Sequence, residues 1–307
     1  MNKLLKSLIA MALCFNSAIF GDEQHEVLHR KLLYSLYGKE ITPFALITIP
    51  KSGTHLMISS LYYMMGAIPH WQEGLNSDFK EYYDSLWKYP NKYSFLCSHF
   101  CLSHTFENLC DTIKLKKIVC IRDLRDVCVS MVYHIIKNGW PGLNSSYPKA
   151  WNSFRQLSFD EQLLFVINYE YEPSTVGEKW QFSISQVARQ AIQYCKEPDV
   201  LVCPYESLVG EKGGGTQKAQ LRTLARINQF LNLALSENEL IEISSKIYGD
   251  AYAPFGKKEG FTSLKSTYRN AKIGSWKEAF KEEHKAAFKK KLGGALIALG
   301  YEKDNHW

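Results

Sequence analysis

The sequence predicts a single α/β domain in which helices flank a central parallel sheet. Short apolar runs, typical of buried strands, alternate along the chain with segments whose apolar residues have helical spacing. The 307 residues could form one large domain or two modest ones. No linker-like stretch divides them, so a single domain over residues 22–307 is the simpler prediction.

Composition excludes several classes of protein. Apolar residues make up 46% and aromatic residues 13% of the chain, which is enough core material to exclude a disordered protein. No run of about 20 apolar residues occurs, which excludes a multi-span membrane protein. The net charge of +6 suits a small polyanionic ligand. The sequence lacks the dense basic patches of a nucleic-acid-binding protein, so we expect no nucleic-acid partner.

Residues 1–21 have the pattern of a secretory signal peptide. Lys3 and Lys6 precede a mostly apolar stretch over residues 8–20, and Gly21 offers a cleavage point. We therefore expect a secreted or periplasmic protein. The alternative is an N-terminal helix packed on a cytoplasmic domain.

The cysteines indicate neither compartment strongly. Removal of residues 1–21 leaves an odd number of cysteines, which cannot all pair within one chain. The sequence contains no C-x-x-C pair of the kind that binds zinc, so we expect no metal site. Cys120 and Cys203 lie in apolar runs, where a free thiol behaves as a small hydrophobic group. Disulfides among Cys97, Cys101 and Cys110 remain open.

The first half of the chain contains three predicted strands. Residues 25–37 have helical spacing, and the apolar run 44–49 lies between two prolines, as buried strands often do. Helical spacing resumes over residues 54–63. Residues 93–98 and 117–121 are the second and third apolar runs and predict two further strands.

The second half continues the alternation after a long excursion. A helix is predicted at residues 126–137, and residues 138–180 are rich in turn formers and aromatics, with a helix at 159–168. The remaining predicted elements are a helix at 183–196, a strand at 200–203, a glycine loop at 213–215, a helix at 219–231 and a Lys/Glu-rich helix at 277–299 that breaks at its paired glycines. Strands that alternate with helices in this way form parallel sheets.

The loop after the first strand has the features of an anion site. Residues 48–56 read TIPKSGTHL and lead from a strand into a helix, where backbone N–H groups collect phosphates. Ser52 and Thr54 add hydroxyls, Gly53 permits close approach, and Lys51 adds a cation. The lysine precedes the glycine, unlike in the nucleotide-binding loop of kinases, which disfavours phosphoryl transfer. The alternative is an ordinary strand-to-helix turn.

Two further segments carry groups suited to a second phosphate. Arg122 follows the third strand at its carboxyl end, where open α/β sheets bind ligands, and Ser130 lies on the next helix. Arg122 could bind a phosphate bidentately. Residues 268–277, YRNAKIGSWK, form a basic segment of small residues ahead of the last helix.

These three segments together resemble the signatures of P-loop sulfotransferases, which use 3′-phosphoadenosine 5′-phosphosulfate (PAPS). The family patterns are TYPKSGTTW, RxxxDxxxS and RKGxxGDWK, and both order and spacing agree from about residue 44 onward. Residues 205–215 and 300–304 are similar to those of bacterial sulfotransferase-domain proteins. The resemblance implies a P-loop-type α/β domain that transfers a sulfuryl group from PAPS to an acceptor hydroxyl or amine without a metal.

The resemblance also assigns roles to individual residues. Lys51 matches the catalytic lysine that contacts the bridging oxygen of the phosphosulfate, and Arg122 and Ser130 match the ligands of the 3′-phosphate. The matching donor-binding positions are Lys51, Ser52, Gly53, Thr54 and His55 around the 5′-phosphate, Arg122, Ser130, Tyr205 near the adenine, and Arg269, Asn270 and Ala271 in the last motif.

His99 matches the family's catalytic base, a histidine at the end of the strand before the 3′-phosphate motif. A neutral imidazole suits removal of a proton from an alcohol. His104 is the nearest alternative. His134, on the helix after Arg122, is predicted to be a packing residue.

The sequence departs from the family pattern at four positions. Leu56 replaces a tryptophan that stacks on adenine, and Cys97 replaces a lysine two residues before the histidine. Asn270 and Ala271 replace a lysine and a glycine. These departures leave open an inactive or merely PAPS-binding relative. A small molecule, a glycan or a lipid is the expected acceptor, and protein tyrosine also remains open.

Overall fold

The computed structural model describes residues 44–71, 94–100, 115–138, 148–170, 183–248 and 271–307. Within these residues it confirms the predicted α/β fold with a parallel sheet. The five strands are β1 (Phe44–Thr48), β2 (Ile68–Trp71), β3 (Ser94–His99), β4 (Lys116–Ile121) and β5 (Val200–Pro204). All neighbouring pairs are parallel, and the strand order is β2-β3-β1-β4-β5.

Helices connect and cover the strands. They are α1 (Thr54–Met65), α2 (Leu124–Asn138), α3 (Pro148–Gln156), α4 (Phe159–Asn168), α5 (Ile184–Tyr194), α6 (Tyr205–Leu208), α7 (Gln217–Phe230), α8 (Glu237–Lys246), α9 (Trp276–Ala279) and α10 (Glu282–Ala298), with a 3-10 turn at Glu211–Gly213. No helix in these described stretches is both long and apolar enough to cross a membrane.

The central strand β1 is buried on both faces, as its continuous apolar sequence predicts. Ala45 and Ile47 pack into one core cluster with α2, α4, α5 and α10. Phe44 and Leu46 point the other way and pack with α1, α7 and α8. The two-residue side-chain period of a strand therefore gives one sheet with a hydrophobic core on each face.

The register of the sheet brings the functional loops to one edge. Thr48 at the end of β1 is opposite His99 at the end of β3 and Cys120 near the end of β4. Ile121, at the end of β4, is opposite Pro204 of β5. Because all these strands run in the same direction, their carboxyl ends and the loops that follow them lie together.

Some predicted elements are wrong or incomplete. The last helix is not interrupted at Gly293 and Gly294, and its break falls between α9 and α10, at Phe280 and Lys281. Gly293 stays helical and lets Asn305 pack closely, since a Cβ there would lie 2.3 Å from Asn305 Oδ1. The sequence prediction also missed the edge strand β2, whose proline suits an edge position, and helices α3 and α8.

Several predictions fall outside the described residues. These are the signal peptide at 1–21, the helix at 25–37, the alternative base His104, the cysteines Cys101 and Cys110, and the motif residues Arg269 and Asn270. Cys97 is a buried free thiol, so it takes no part in the disulfides that the sequence left open.

Candidate active site

The loop between β1 and α1 is held by its own backbone and by its neighbours. The Ser52 N–H donates to the Ile49 carbonyl at 3.0 Å, and the Ser52 hydroxyl donates to the Cys120 carbonyl at 3.1 Å. Ser52 therefore anchors the loop to β4. The Met57 N–H, bonded to the Gly53 carbonyl at 3.0 Å, is the first helical donor, so the N–H groups of residues 54–56 have no partner within α1.

Gly53 is required at this position for two reasons. Its φ of 89° lies in the left-handed region, which other residues enter at a cost. In addition, a Cβ at Gly53 would lie 2.4 Å from Cδ2 of Tyr205. The aromatic ring therefore packs directly on the backbone of the loop.

Lys51 carries a partly buried ammonium at the centre of the site. Its backbone is also left-handed, with φ 68°, an uncommon conformation for lysine that is typical of strained functional loops. Its Nζ lies 3.5 Å from Nδ1 of His134. Burial, and next the positive charge of Arg122, lower the pKa of Lys51 from 10.5 to about 8.

His99 is oriented by the end of β1. Its Nδ1 lies 2.7 Å from the Thr48 hydroxyl, which also contacts the Thr54 hydroxyl at 2.8 Å. A proton on Nδ1 that is donated to Thr48 places the basic lone pair of the neutral imidazole on Nε2. Burial and then the charge of Lys51 lower the pKa of His99 to about 4, so its ring is neutral at physiological pH.

Two more imidazoles belong to the same cluster. Burial, followed by the charge of Lys51, lowers the pKa of both His55 and His134 to about 3. The prediction that His134 merely packs is incomplete, because the structure places its ring beside Lys51. The cluster thus combines a buried cation with neutral imidazoles.

Arg122 joins the three motif segments. Its Nη1 donates to the Lys51 carbonyl at 3.1 Å and its Nη2 to the Lys272 carbonyl at 2.8 Å. Its guanidinium also lies over the Tyr205 ring, 4.3 Å from the ring centroid. The buried Nε atom has no hydrogen-bond partner within the described structure. One donor of the Arg122 guanidinium is therefore still unused.

Ser130 lies on the face of α2 that lines the site. It is one helical turn from Asp126 and one turn from His134, so the three side chains form a stripe. Asp126 Oδ2 is 3.6 Å from Arg122 Nη2, and His134 contacts Lys51. Ser130 is partly exposed between these two contacts, and its role at the 3′-phosphate stays a prediction. The four-residue spacing was present in the sequence and could have placed His134 in the site.

The last motif reaches the site through Ala271. Its carbonyl accepts a hydrogen bond from the Tyr205 hydroxyl at 2.5 Å. Its φ of 51° is left-handed, which explains why the family pattern has glycine at this position. Two other departures face the protein interior, since Cys97 is buried in a core cluster and Leu56 packs against the same cluster.

Comparison with known proteins establishes the family. The family model of the sulfotransferase domain matches residues 42–298. This chain belongs to the sulfotransferase domain family. No curated protein matches the sequence.

Two solved structures resemble this sulfotransferase domain. The crystal structure of mouse sulfotransferase SULT7A1 complexed with PAP has a TM-score of 0.58 and 17% sequence identity, and the match covers 87% of this chain and 93% of that chain. Retinol dehydratase in complex with androsterone and inactive cofactor PAP has a TM-score of 0.49 and 18% identity, over 87% of this chain and 85% of that chain. The first comparison supports the shared fold.

One cluster elsewhere in this sulfotransferase domain has the composition of a metal site. Among the described residues, Asp160, Glu283 and His284 bring potential ligand atoms within 4.8 Å of one another. Asp160 is already paired with the Lys281 ammonium. His284 accepts the Lys281 N–H at 3.0 Å through Nδ1, and its Nε2 lies 3.2 Å from the Asp160 carbonyl. The cluster therefore joins α4 to α10, and the expectation of metal-free chemistry stays a prediction.

Proposed function

We propose that this enzyme transfers a sulfuryl group from the donor substrate PAPS to a hydroxyl or amine of a small molecule, glycan or lipid. The observation that carries the proposal is the pairing of two cations, Lys51 and Arg122, beside the neutral imidazole of His99. Burial and the neighbouring positive charge of Arg122 lower the pKa of Lys51, and a bound anion would raise it again because it would stabilise the ammonium.

The donor groups suit a nucleotide with phosphate on both sides of its ribose. The N–H groups at the start of α1, which have no partner within that helix, would hold the 5′-phosphosulfate together with Lys51. Arg122, through its unused Nε, and Ser130 would hold the 3′-phosphate. Tyr205 would lie near the adenine. When bound, PAPS supplies a sulfuryl group attached to a phosphate that can leave.

The chain's own residues would then divide the work of transfer. The Nε2 atom of His99 accepts the proton of the acceptor while its Nδ1 remains bonded to Thr48. The acceptor oxygen or nitrogen forms a bond to sulfur as the bond from sulfur to the phosphate oxygen breaks. The Lys51 ammonium stabilises the charge that develops on that oxygen.

The first test is sulfate transfer from radiolabelled PAPS to phenols, sugars and lipids. Lys51→Ala should lower turnover about 10²- to 10³-fold, as removal of one preorganised electrostatic donor does. Lys246→Ala is the matched control, because Lys246 forms an exposed ion pair with Glu242 on α8. If Lys51→Ala retains more than about a third of the wild-type rate, the assignment of Lys51 is wrong.

The second test separates catalysis by His99 from a structural role. His99→Ala should lower the rate about 10²- to 10⁴-fold, the usual contribution of a positioned base. Affinity for PAP should stay within a few-fold, because the proposed nucleotide contacts lie elsewhere. Melting temperature, PAP affinity and rate are measured on one preparation. An unchanged rate at unchanged melting temperature would reject His99 as the base.

A further inference from the structure

Residues 301–307, here called the tail segment, fold back onto the turn between β4 and α2. The Tyr301 hydroxyl donates to Glu206 Oε2 at 2.9 Å. The other carboxylate oxygen of Glu206 accepts the backbone N–H of Asp123, within that turn, at 3.0 Å. Glu302 Oε1 lies 2.7 Å from Arg125 Nη1. The tail segment is thus attached to the turn that follows Arg122.

Arg125 is the anchor of this attachment. Its buried guanidinium lies in the corner formed by two nearly perpendicular indole rings, 3.8 Å from the centroid of Trp276 and 4.3 Å from that of Trp307. Its Nε and Nη2 donate to the two carboxylate oxygens of Asp123 at 2.9 and 2.7 Å. The guanidinium contacts both rings and its charge is paired with Asp123 and Glu302, so Arg125 organises its neighbours instead of binding a ligand.

Trp276 connects this anchor to Arg122. The Asp126 carboxylate accepts the N–H groups of Gly274 and Trp276 at 2.7 and 2.9 Å, which fixes the backbone just before α9. Lys272, two residues earlier than Gly274, provides the carbonyl that holds Arg122 Nη2. The position of the Arg122 guanidinium therefore depends on a segment whose far end is held by the Trp276 ring.

We propose that Trp307 is a positioning residue for the donor 3′-phosphate and acts on Arg122 through Arg125 and Trp276. The proposal rests on the proposed function, in which Arg122 contacts that phosphate. The Trp307 ring packs edge-on against Trp276, with centroids 5.6 Å apart, and against Phe288 of α10 at 5.9 Å. It therefore fixes the Trp276 ring against the body of the domain.

The test compares two nucleotides in calorimetric titrations of the full chain. PAP carries the 3′-phosphate, whereas 5′-AMP lacks it. Trp307→Ala should weaken PAP about tenfold and 5′-AMP less than about twofold, because misplacement of one ligand group by about 1 Å has effects of this size or larger. Trp307→Phe, which keeps a ring over Arg125, should restore most of the PAP affinity.

The controls keep the proposal falsifiable. Phe230→Ala removes a comparable cation-facing ring, which contacts the Lys116 ammonium at the amino-terminal ends of the strands, and should change neither affinity. Equal weakening of both nucleotides by Trp307→Ala, or no weakening, overturns the positioning role. If the wild-type protein itself binds PAP and 5′-AMP equally, the proposed 3′-phosphate site fails first. If Trp307→Ala does not fold, Glu302→Gln tests the same anchor by the same titrations.

Discussion

Lys51 and His99 need opposite protonation states to perform their proposed roles. Lys51 stabilises the leaving phosphate only as an ammonium, and its pKa of about 8 means that this charge is lost as the pH rises through 8. His99 accepts a proton only as a neutral ring, and its pKa of about 4 means that it is neutral above pH 4. We therefore expect kcat/KM for the donor to be level from about pH 5 to 7 and to fall through about pH 8.

Rate measurements between pH 5 and 10 on the wild-type protein check this profile, with circular dichroism at each pH to monitor folding. An unperturbed histidine base would instead give a rise centred near about pH 6.5. Such a rise would show that the environment of His99 is more hydrated than its burial indicates. If kcat/KM for the donor keeps its full value at pH 10, the proposed role of the Lys51 ammonium is wrong.

The sequence predicted the site best where a motif fixes both residue type and spacing. Lys51, Gly53 and Arg122 lie together as their patterns indicated. The contacts that orient them were not predicted, because they come from strand register and helix phase. Thr48 reaches His99 only because β1 and β3 are adjacent and in register. His134 reaches Lys51 only because α2 turns the correct face to the loop.

At the scale of a secondary-structure element, helix α1 is flanked by two glycines with left-handed backbone, which can be compared by mutation. Gly53 precedes it with φ 89° and Gly66 follows it with φ 67°, so an alanine at either position pays a similar left-handed backbone cost of about 1–2 kcal/mol. Only at Gly53 does a Cβ also meet the ring of Tyr205, whereas nothing lies within 4 Å at Gly66. We expect Gly53→Ala to abolish PAP binding and Gly66→Ala to preserve it.

Thermal melts and PAP titrations on both variants separate the strain from the clash. Both variants should melt at lower temperature than the wild-type protein, since both carry the backbone strain. If Gly66→Ala loses PAP affinity as severely as Gly53→Ala does, the effect comes from strain in α1 and the packing of Tyr205 on the loop is irrelevant to binding. The single substitution Tyr205→Leu gives an independent measure of the ring's contribution.

Elements were predicted well when an apolar run and its flanking turn residues agreed. The bounds of α4 match the prediction, and its capping box between Ser158 and Glu161 provides the start signal that sequence patterns carry. The short strand β2 contains a proline and a histidine, so its pairing at the sheet edge depends on β3 and not on its own propensity. The glycine at position 293 inside the continuous helix α10 leaves room for Asn305, a tertiary contact that no local pattern contains.

At the scale of the whole molecule, one sheet separates two hydrophobic cores that share the same strands. Residues of β1 and β4 alternate between the clusters, so loss of one core exposes apolar side chains of the strands that form the other.

Buried thiols lie in both cores. Cys128 belongs to the cluster with α2, and Cys97 and Cys203 belong to the cluster with α1. Burial raises the pKa of the Cys128 thiol and raises that of Cys203 to about 12, so the native-state reactivity of these two thiols should be low.

We expect the two cores to unfold together. Pulsed alkylation across a urea series can measure the unfolding midpoint reported by each cysteine separately. Peptide mass spectrometry should give the same midpoint for Cys128 as for Cys97 and Cys203, because the shared strands couple the two clusters. Cys195 is partly exposed, with a pKa raised to about 11 by burial, and should be labelled slowly below that midpoint, which makes it the internal control for accessible thiol. Midpoints for the two cores that differ by more than about 0.5 M urea would mean that one face of the sheet opens first and that the strands do not couple the cores.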